Sequence, residues 1–272
     1  MIERLSLEDP LAAFRLDGRI AAITGAGSGL GRAIAQAFSR VGAEVALLDR
    51  NGIAAAEVAE QIRAAGGRAH SLVLDVGNAA EVDKTFGDLG QRLGGLDVLV
   101  NSAGIAIRKP AVETSREDWD TVMGVNVTGS FFCARAAARL MLPKRSGSMV
   151  NLASIMGLSG GLYPNASYQT SKGAIVNMTR ALALEWARDG IRVNAVAPTW
   201  TRTEFTRTLL ARPEALEQIE QATPMGRVAE PEEVVGAVLF LASPAASMVT
   251  GHILAVDGGF LARLPSVVDR GA

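Results

Sequence analysis

Seven short apolar runs, six intervening segments of helical period and glycine-rich turns at the ends of several runs predict an α/β chain: one domain built on a doubly wound parallel sheet of seven strands. The 272 residues are enough for one large core. No repeat, low-complexity tract or Pro/Gly/Ser linker marks a second domain.

The first strand, 20–24, runs into Thr24-Gly25-Ala26-Gly27-Ser28-Gly29-Leu30-Gly31, which opens directly into a helix near 30–41. The second strand, 44–48, ends at Asp49 and is followed by a helix near 53–65. A third strand, 71–74, closes on Asp75-Val76 before a helix over 79–93. The fourth, 98–102, closes in Asn101-Ser102-Ala103-Gly104 and leads to a long helix over 116–141. Ser154 ends the fifth strand, 148–153, ahead of a helix over 167–188. A sixth strand, 192–197, a helix over 231–242 and a last strand, 253–256, complete the alternation. The stretch from Pro198 to Pro231 breaks this rhythm at a strand end, where α/β proteins bind ligands, and is expected to form a substrate-covering lobe over about 199–230. The domain is expected to span 17–262, between an N-terminal extension, 1–16, and a tail, 263–272.

With 27 basic against 28 acidic residues, the chain carries no electrostatic footprint for nucleic acid or an anionic membrane. A small neutral or mildly polar ligand fits better. One cysteine, Cys133, excludes an internal disulfide and a thiolate metal cluster, and points to a reducing cytoplasm. The start of the chain carries Glu3, Arg4, Glu8, Asp9 and Pro10 instead of the apolar core of a signal peptide. Apolar runs such as Val234 to Ala242 fall far short of the ~20 residues a bilayer requires. His70 and His252 stand alone in sequence, so no metal site is expected.

Glycines let backbone approach a phosphate, and a helix N-terminus offers free N–H donors, so Gly25, Ser28, Gly29, Leu30 and Gly31 are candidates for a dinucleotide's pyrophosphate. The spacing departs from GxGxxG, since Leu30 or Arg32 stands where the third glycine would be. Asp49, about twenty residues past the loop, is placed to accept hydrogen bonds from both adenosine ribose hydroxyls and to repel a 2′-phosphate. NAD is therefore expected over NADP, with Arg50 softening the preference. Asp75, Val76, Asn101, Ala103 and Gly104 sit at strand ends in the same crevice, although turn chemistry explains each singly as well.

Tyr168 and Lys172, four residues apart at the start of a helix, share one face. A hydride leaves an alcohol carbon only as the hydroxyl proton is taken up by a base. An ammonium about 5 Å from a phenol, at an effective dielectric of about 20, favours phenolate by roughly 3 kcal/mol, which lowers its pKa by about two units. Ser154 ends a strand where its hydroxyl can hold the substrate oxygen. Asn126, on an otherwise apolar helix, fits a structural role or a proton relay equally well.

Taken together, Thr24-Gly25-xxx-Gly29-x-Gly31, Asn101-Ser102-Ala103-Gly104, Asn126, Ser154 and Tyr168-xxx-Lys172 resemble the short-chain dehydrogenase/reductase family over residues 17 to 260. The resemblance implies a Rossmann-type fold. It makes Tyr168 the general acid/base, and Lys172 the group that lowers its pKa and holds the nicotinamide ribose. Ser154 then positions the substrate oxygen and Asn126 supports a proton-relay water. It also brings Pro198, Thr199, Thr201 and Thr203 to the cofactor, Met156 and Trp200 to the substrate, and implies a homotetramer. Two departures stand out: Ser102 replaces an asparagine, and Thr199 replaces the glycine of Pro-Gly. The flanks Phe14-Arg15-Leu16-Asp17-Gly18 and Leu254-Ala255-Val256-Asp257-Gly258-Gly259 resemble the family's bacterial polyol, sugar and sugar-acid dehydrogenases.

The expected pocket is built from Ile155, Met156, Ser159, Ile107, Arg108, Thr199, Trp200, Arg202 and Phe205, with Arg108 or Arg202 as anchor for a sugar acid's carboxylate. Alternatives are an NADPH-dependent 3-oxoacyl-carrier-protein reductase, a serine hydrolase through Gly157-Leu158-Ser159-Gly160-Gly161, and a non-catalytic NAD-binding protein.

Overall fold

A computed structural model describes residues 9–263; the remainder of the expected N-terminal extension, 1–8, and the tail beyond 263 lie outside the described residues. In chain order the elements are β1 (Ile20–Thr24), α1 (Gly29–Arg40), β2 (Glu44–Asp49), α2 (Gly52–Ala64), β3 (Arg68–Val73), α3 (Ala79–Leu93), β4 (Val98–Asn101), α4 (Arg116–Met123) and α5 (Ser130–Met141). There follow β5 (Gly147–Leu152), α6 (Ala166–Trp186), β6 (Ile191–Pro198), α7 (Arg207–Leu210), α8 (Pro213–Ala222), α9 (Pro231–Ala242) and β7 (Ile253–Val256). The seven strands form one parallel sheet in the order β3-β2-β1-β4-β5-β6-β7.

Successive side chains of a strand point to opposite faces. In β1, Ala21 and Ile23 enter one core with Phe38, Val58 and Val238, against α1, α2 and α9. Ala22 enters the other, with Phe86, Met141 and Trp186, against α3, α5 and α6. Both faces are covered, which is why the central strands read as continuous apolar runs.

At the edge, β3 begins at Arg68, three residues before the expected start. Ala69 is buried there, whereas Arg68 and His70 reach outward to the Glu44 carboxylate at 3.2 and 2.7 Å, a polar alternation that hid this half of the strand. The expected helix over 116–141 is interrupted by a π-helical turn, Gly124–Gly129. Gly129 permits the close approach there: a Cβ on it would stand 2.8 Å from Val76 Cγ2. Beyond β6 the lobe contains α7 and α8, and its Leu210, Ile219 and Val228 pack with Trp200, Ile155 and Met156 as a small core of their own. Among the described residues, no helix is long and apolar enough to cross a membrane.

Strand order reverses direction of travel between β1 and β4, and there the two carboxyl ends are tied together. Thr24 Oγ1 accepts the N–H groups of Ser102 and Ala103, each at 3.1 Å. A crevice outside such a switch point is where doubly wound sheets hold ligands.

Candidate active site

The crevice holds a cavity of about 310 Å³ that runs from Asp49, Arg50, Asp75 and Val76 at one end to Ser154, Met156, Tyr168 and Trp200 at the other. The glycine loop forms its floor through Gly25, Ser28, Gly29, Leu30 and Gly31. Ala103, Gly104, Lys172, Pro198, Thr199, Thr201 and Thr203 complete the wall.

Backbone geometry explains the glycines that matter most. Gly25 adopts φ 66°, and a Cβ on it would meet Ala103 Cα at 2.9 Å. A Cβ on Gly31 would sit 2.1 Å from the Gly25 carbonyl oxygen. Ser28, the N-cap of α1, makes no side-chain capping bond; Glu204 Oε2 accepts the Gly29 N–H at 3.1 Å, and the N–H groups of Leu30 and Gly31 face the cavity wall that those residues line. Asp49 is fixed at the far end: its Oδ2 accepts the Gly27 N–H at 2.9 Å and its Oδ1 accepts the Asn51 N–H at 2.8 Å. Thr199 Oγ1, on the cavity wall, is buried with no partner. A phosphate-sized cradle, a carboxylate at the ribose end and an orphaned hydroxyl at the other fit a dinucleotide.

At the catalytic end, the Ser154 hydroxyl bonds to the Tyr168 phenol and also accepts the Met156 N–H at 3.1 Å. Lys172 is buried; its Nζ donates to the Leu152 carbonyl at 2.5 Å and lies 5.6 Å from the Tyr168 ring centre. The distance matches the sequence expectation but the pKa shift has the opposite sign. Burial pushes the Tyr168 phenol up to about 12, against smaller lowering by Ser154 and Arg108, and burial pulls Lys172 down to about 8. Desolvation disfavours both charged forms and outweighs the attraction between ammonium and phenolate.

Asn126 sits in the π-helical turn, which inserts an extra residue into the helical repeat and aims its amide inward. Its Oδ1 accepts the Ile105 N–H at 2.8 Å, while Nδ2 donates to the Ile105 carbonyl and to Ser171 Oγ. The side chain thus straps the loop after β4 to α6. A Cβ on Gly104 would stand 3.4 Å from Asn126 Oδ1 and 3.7 Å from Lys172 Nζ, so this glycine keeps the space between them open.

Several expected residues lie elsewhere. Asn101 does not line the cavity: its Nδ2 donates to the Ser130 carbonyl and to Asn151 Oδ1 beneath the strand ends. Arg202 turns outward to Glu230 at 3.0 Å, and Ile107 and Ser159 also stand off the wall. Ser159 follows a short 3₁₀ turn (Ile155–Gly157) and donates to the Ile155 carbonyl, a setting unlike a nucleophile elbow. The wall also contains Leu74, Val125, Tyr163 and Asn165, which the sequence reading passed over. Tyr163 bonds Trp200 Nε1 at 3.3 Å; only the fold of the loop before α6 brings the two together.

A short-chain dehydrogenase family model described as enoyl-(acyl carrier protein) reductase matches residues 25–261. The chain is 47% identical over 248 residues to a galactitol 2-dehydrogenase (L-tagatose-forming) of Cereibacter sphaeroides, covering 91% of this chain and 96% of that protein. It is 38% identical to a gluconate 5-dehydrogenase of Gluconobacter oxydans (strain 621H), covering 92% and 98% of the two. The crystal structure of a gluconate 5-dehydrogenase from Burkholderia cenocepacia J2315, in complex with NADP and tartrate, superposes with a TM-score of 0.91 at 37% identity, over 94% of this chain and all of that one. The chain belongs to the short-chain dehydrogenase/reductase family, oxidoreductases that use a nicotinamide cofactor to act on CH–OH groups.

Proposed function

We propose that this protein is an NAD-dependent dehydrogenase of a polyol, sugar or sugar acid. The observation that carries the reading is the convergence of Tyr168, Ser154 and Lys172 at one end of a cavity whose other end is Asp49. When bound, the nicotinamide accepts the hydride that leaves the carbinol carbon.

The chain's own residues then divide the work. Ser154 holds the substrate oxygen through its hydroxyl. Tyr168 exchanges the proton on that oxygen: it takes the proton as the alcohol becomes a carbonyl and returns it in reduction. Lys172, buried and tied to the Leu152 carbonyl, keeps a positive end beside the phenol and would hold the nicotinamide ribose. Asn126 holds the Ile105 loop and would support a proton-relay water. Gly25, Ser28, Gly29, Leu30 and Gly31 would cradle the pyrophosphate; Asp49 and Arg50 the adenosine ribose; Asp75, Val76, Ala103 and Gly104 the adenine side. Pro198, Thr199, Thr201 and Thr203 would hold the nicotinamide, and Met156 and Trp200 the substrate.

Asp49 supports NAD over NADP, because a fixed carboxylate opposes a 2′-phosphate. Arg108, the arginine that lines the substrate end, supports an anionic substrate such as a sugar acid. Exposed Phe131 on α5 and Leu184 on α6 support a homotetramer through these helices. The reading places the enzyme in the cytoplasm, where the buried thiol of Cys133 stays reduced. An absorbance assay at 340 nm over polyols, sugars and sugar acids, with NAD and NADP in parallel, tests the proposal. NAD reduction on one of these supports it; NADPH-dependent reduction of a 3-oxoacyl thioester in their place overturns it.

A further inference from the structure

The lobe is fastened to the glycine loop by one side chain. Glu204 Oε2 accepts the N–H of Gly29, the first residue of α1, at 3.1 Å, and Oε1 lies 3.3 Å from Arg32 Nη2. The N-cap Ser28 makes no side-chain bond, so an acceptor for this first-turn donor comes from a residue 175 positions away. A carboxylate at a helix N-terminus also meets the favourable end of the helix dipole. The two segments touch directly: a Cβ on Gly29 would lie 3.6 Å from Thr203 Cβ.

On the opposite rim, the next residue, Phe205, carries the second tie. Its carbonyl accepts from Arg108 Nη2 at 3.4 Å, and the Arg108 guanidinium lies 5.2 Å from its ring centre. Between the two ties the turn is braced internally, since Thr206 Oγ1 donates to the Thr201 carbonyl at 2.5 Å and accepts the Thr203 N–H at 3.2 Å. Residues 201–206 therefore behave as one braced unit, and whatever holds Glu204 also sets where Thr201 and Thr203 stand on the cavity wall.

We propose that Glu204 is a positioning residue, a clasp that locks the lobe onto the glycine loop and so fixes Thr201 and Thr203 against the cofactor. The inference rests on the nicotinamide reading above and adds a residue that the reading does not assign. Glu204 touches no reacting atom; it acts through the two threonines. Its carboxylate and the Arg32 guanidinium are each about half exposed, so the clasp is a modest, salt-sensitive tie that can open for cofactor exchange.

Hydrogen exchange and binding on the full chain test this. In Glu204→Ala without cofactor, deuterium uptake across residues 201–210 rises, while the thermal midpoint stays at the wild-type value. The NADH Kd, read from fluorescence, rises about fivefold, as expected for losing one half-exposed charged hydrogen bond. Binding of adenosine, which lacks the phosphates and reaches only the Asp49 end, is unchanged, and Glu204→Gln, which keeps an acceptor for the Gly29 N–H, recovers most of the affinity. Wild-type uptake and NADH affinity in Glu204→Ala, or equal weakening of NADH and adenosine, overturns the clasp. A wild-type chain that binds no NADH overturns the cofactor reading instead, and the uptake result still decides the clasp.

Discussion

Lys172 Nζ donates to the Leu152 carbonyl at 2.5 Å and stands 5.6 Å from the centre of the Tyr168 ring. The β5 carbonyl holds the ammonium beside a phenol that burial pushes up to about 12, so Tyr168 is a protonated acid across neutral pH. Ketone reduction uses this form and should change little between about pH 6 and 7, below the point at about 8 where Lys172 loses its charge, whereas alcohol oxidation needs the phenolate and should climb with pH over the same window. Initial rates in both directions check the asymmetry. Lys172→Met removes the cation and should cost oxidation about 100-fold in kcat/KM.

Asp49 is held rigidly by the Gly27 and Asn51 N–H groups and cannot swing away from a 2′-phosphate. Asp49→Ser should raise kcat/KM with NADP by about 100-fold and lower it with NAD, since like charges brought together cost several kcal/mol. Kinetics with both cofactors decide this; an unchanged ratio would remove Asp49 as the discriminator.

Arg108 lies over Phe205, whose ring centre is 5.8 Å from that of Tyr168, so the guanidinium reaches the substrate end. Arg108→Ala should raise KM for a sugar acid about tenfold more than it raises KM for a neutral polyol, as expected for losing one exposed charge-assisted bond beyond the tie to Phe205. Equal effects on both substrates would refute a carboxylate anchor.

Among the described residues, Arg192 pairs with no carboxylate. Its guanidinium caps the end of α9, donating to the carbonyls of Leu241, Ala242 and Ser243 and to that of Val249, and burial pulls its pKa down to about 10. Arg192→Met takes a donor from four carbonyls, of which Leu241, Ser243 and Val249 keep Ser148 Oγ, the Ala246 N–H and Asn194 Nδ2; the loss costs about 1–3 kcal/mol and lowers the thermal midpoint by about 3–10 °C. Calorimetry reads the shift.

Periodicity exposed the sheet because both of its faces are covered, so the middles of β1 (Ala21–Ile23) and β2 (Val45–Leu48) are unbroken apolar runs. The edge strand β3 escaped in part because Arg68 and His70 pair with Glu44 in solvent. The π-helical turn around Asn126 leaves no mark in an apolar pattern that still looks helical. Local spacing exposed the glycine loop and the Tyr168–Lys172 pair. It could not show that Arg202 turns to Glu230, that Asn101 lies beneath the strand ends, or that Glu204 reaches Gly29, because each contact joins distant parts of the chain.

Proton transfer by Tyr168 and cofactor binding by the rest of the cavity are separable in one variant. Tyr168→Phe, titrated with NADH by fluorescence and assayed for NAD reduction at 340 nm on the best polyol or sugar-acid substrate, tests this most directly. The account predicts wild-type NADH affinity with turnover lowered at least about 100-fold. Turnover within a few-fold of wild type would contradict it.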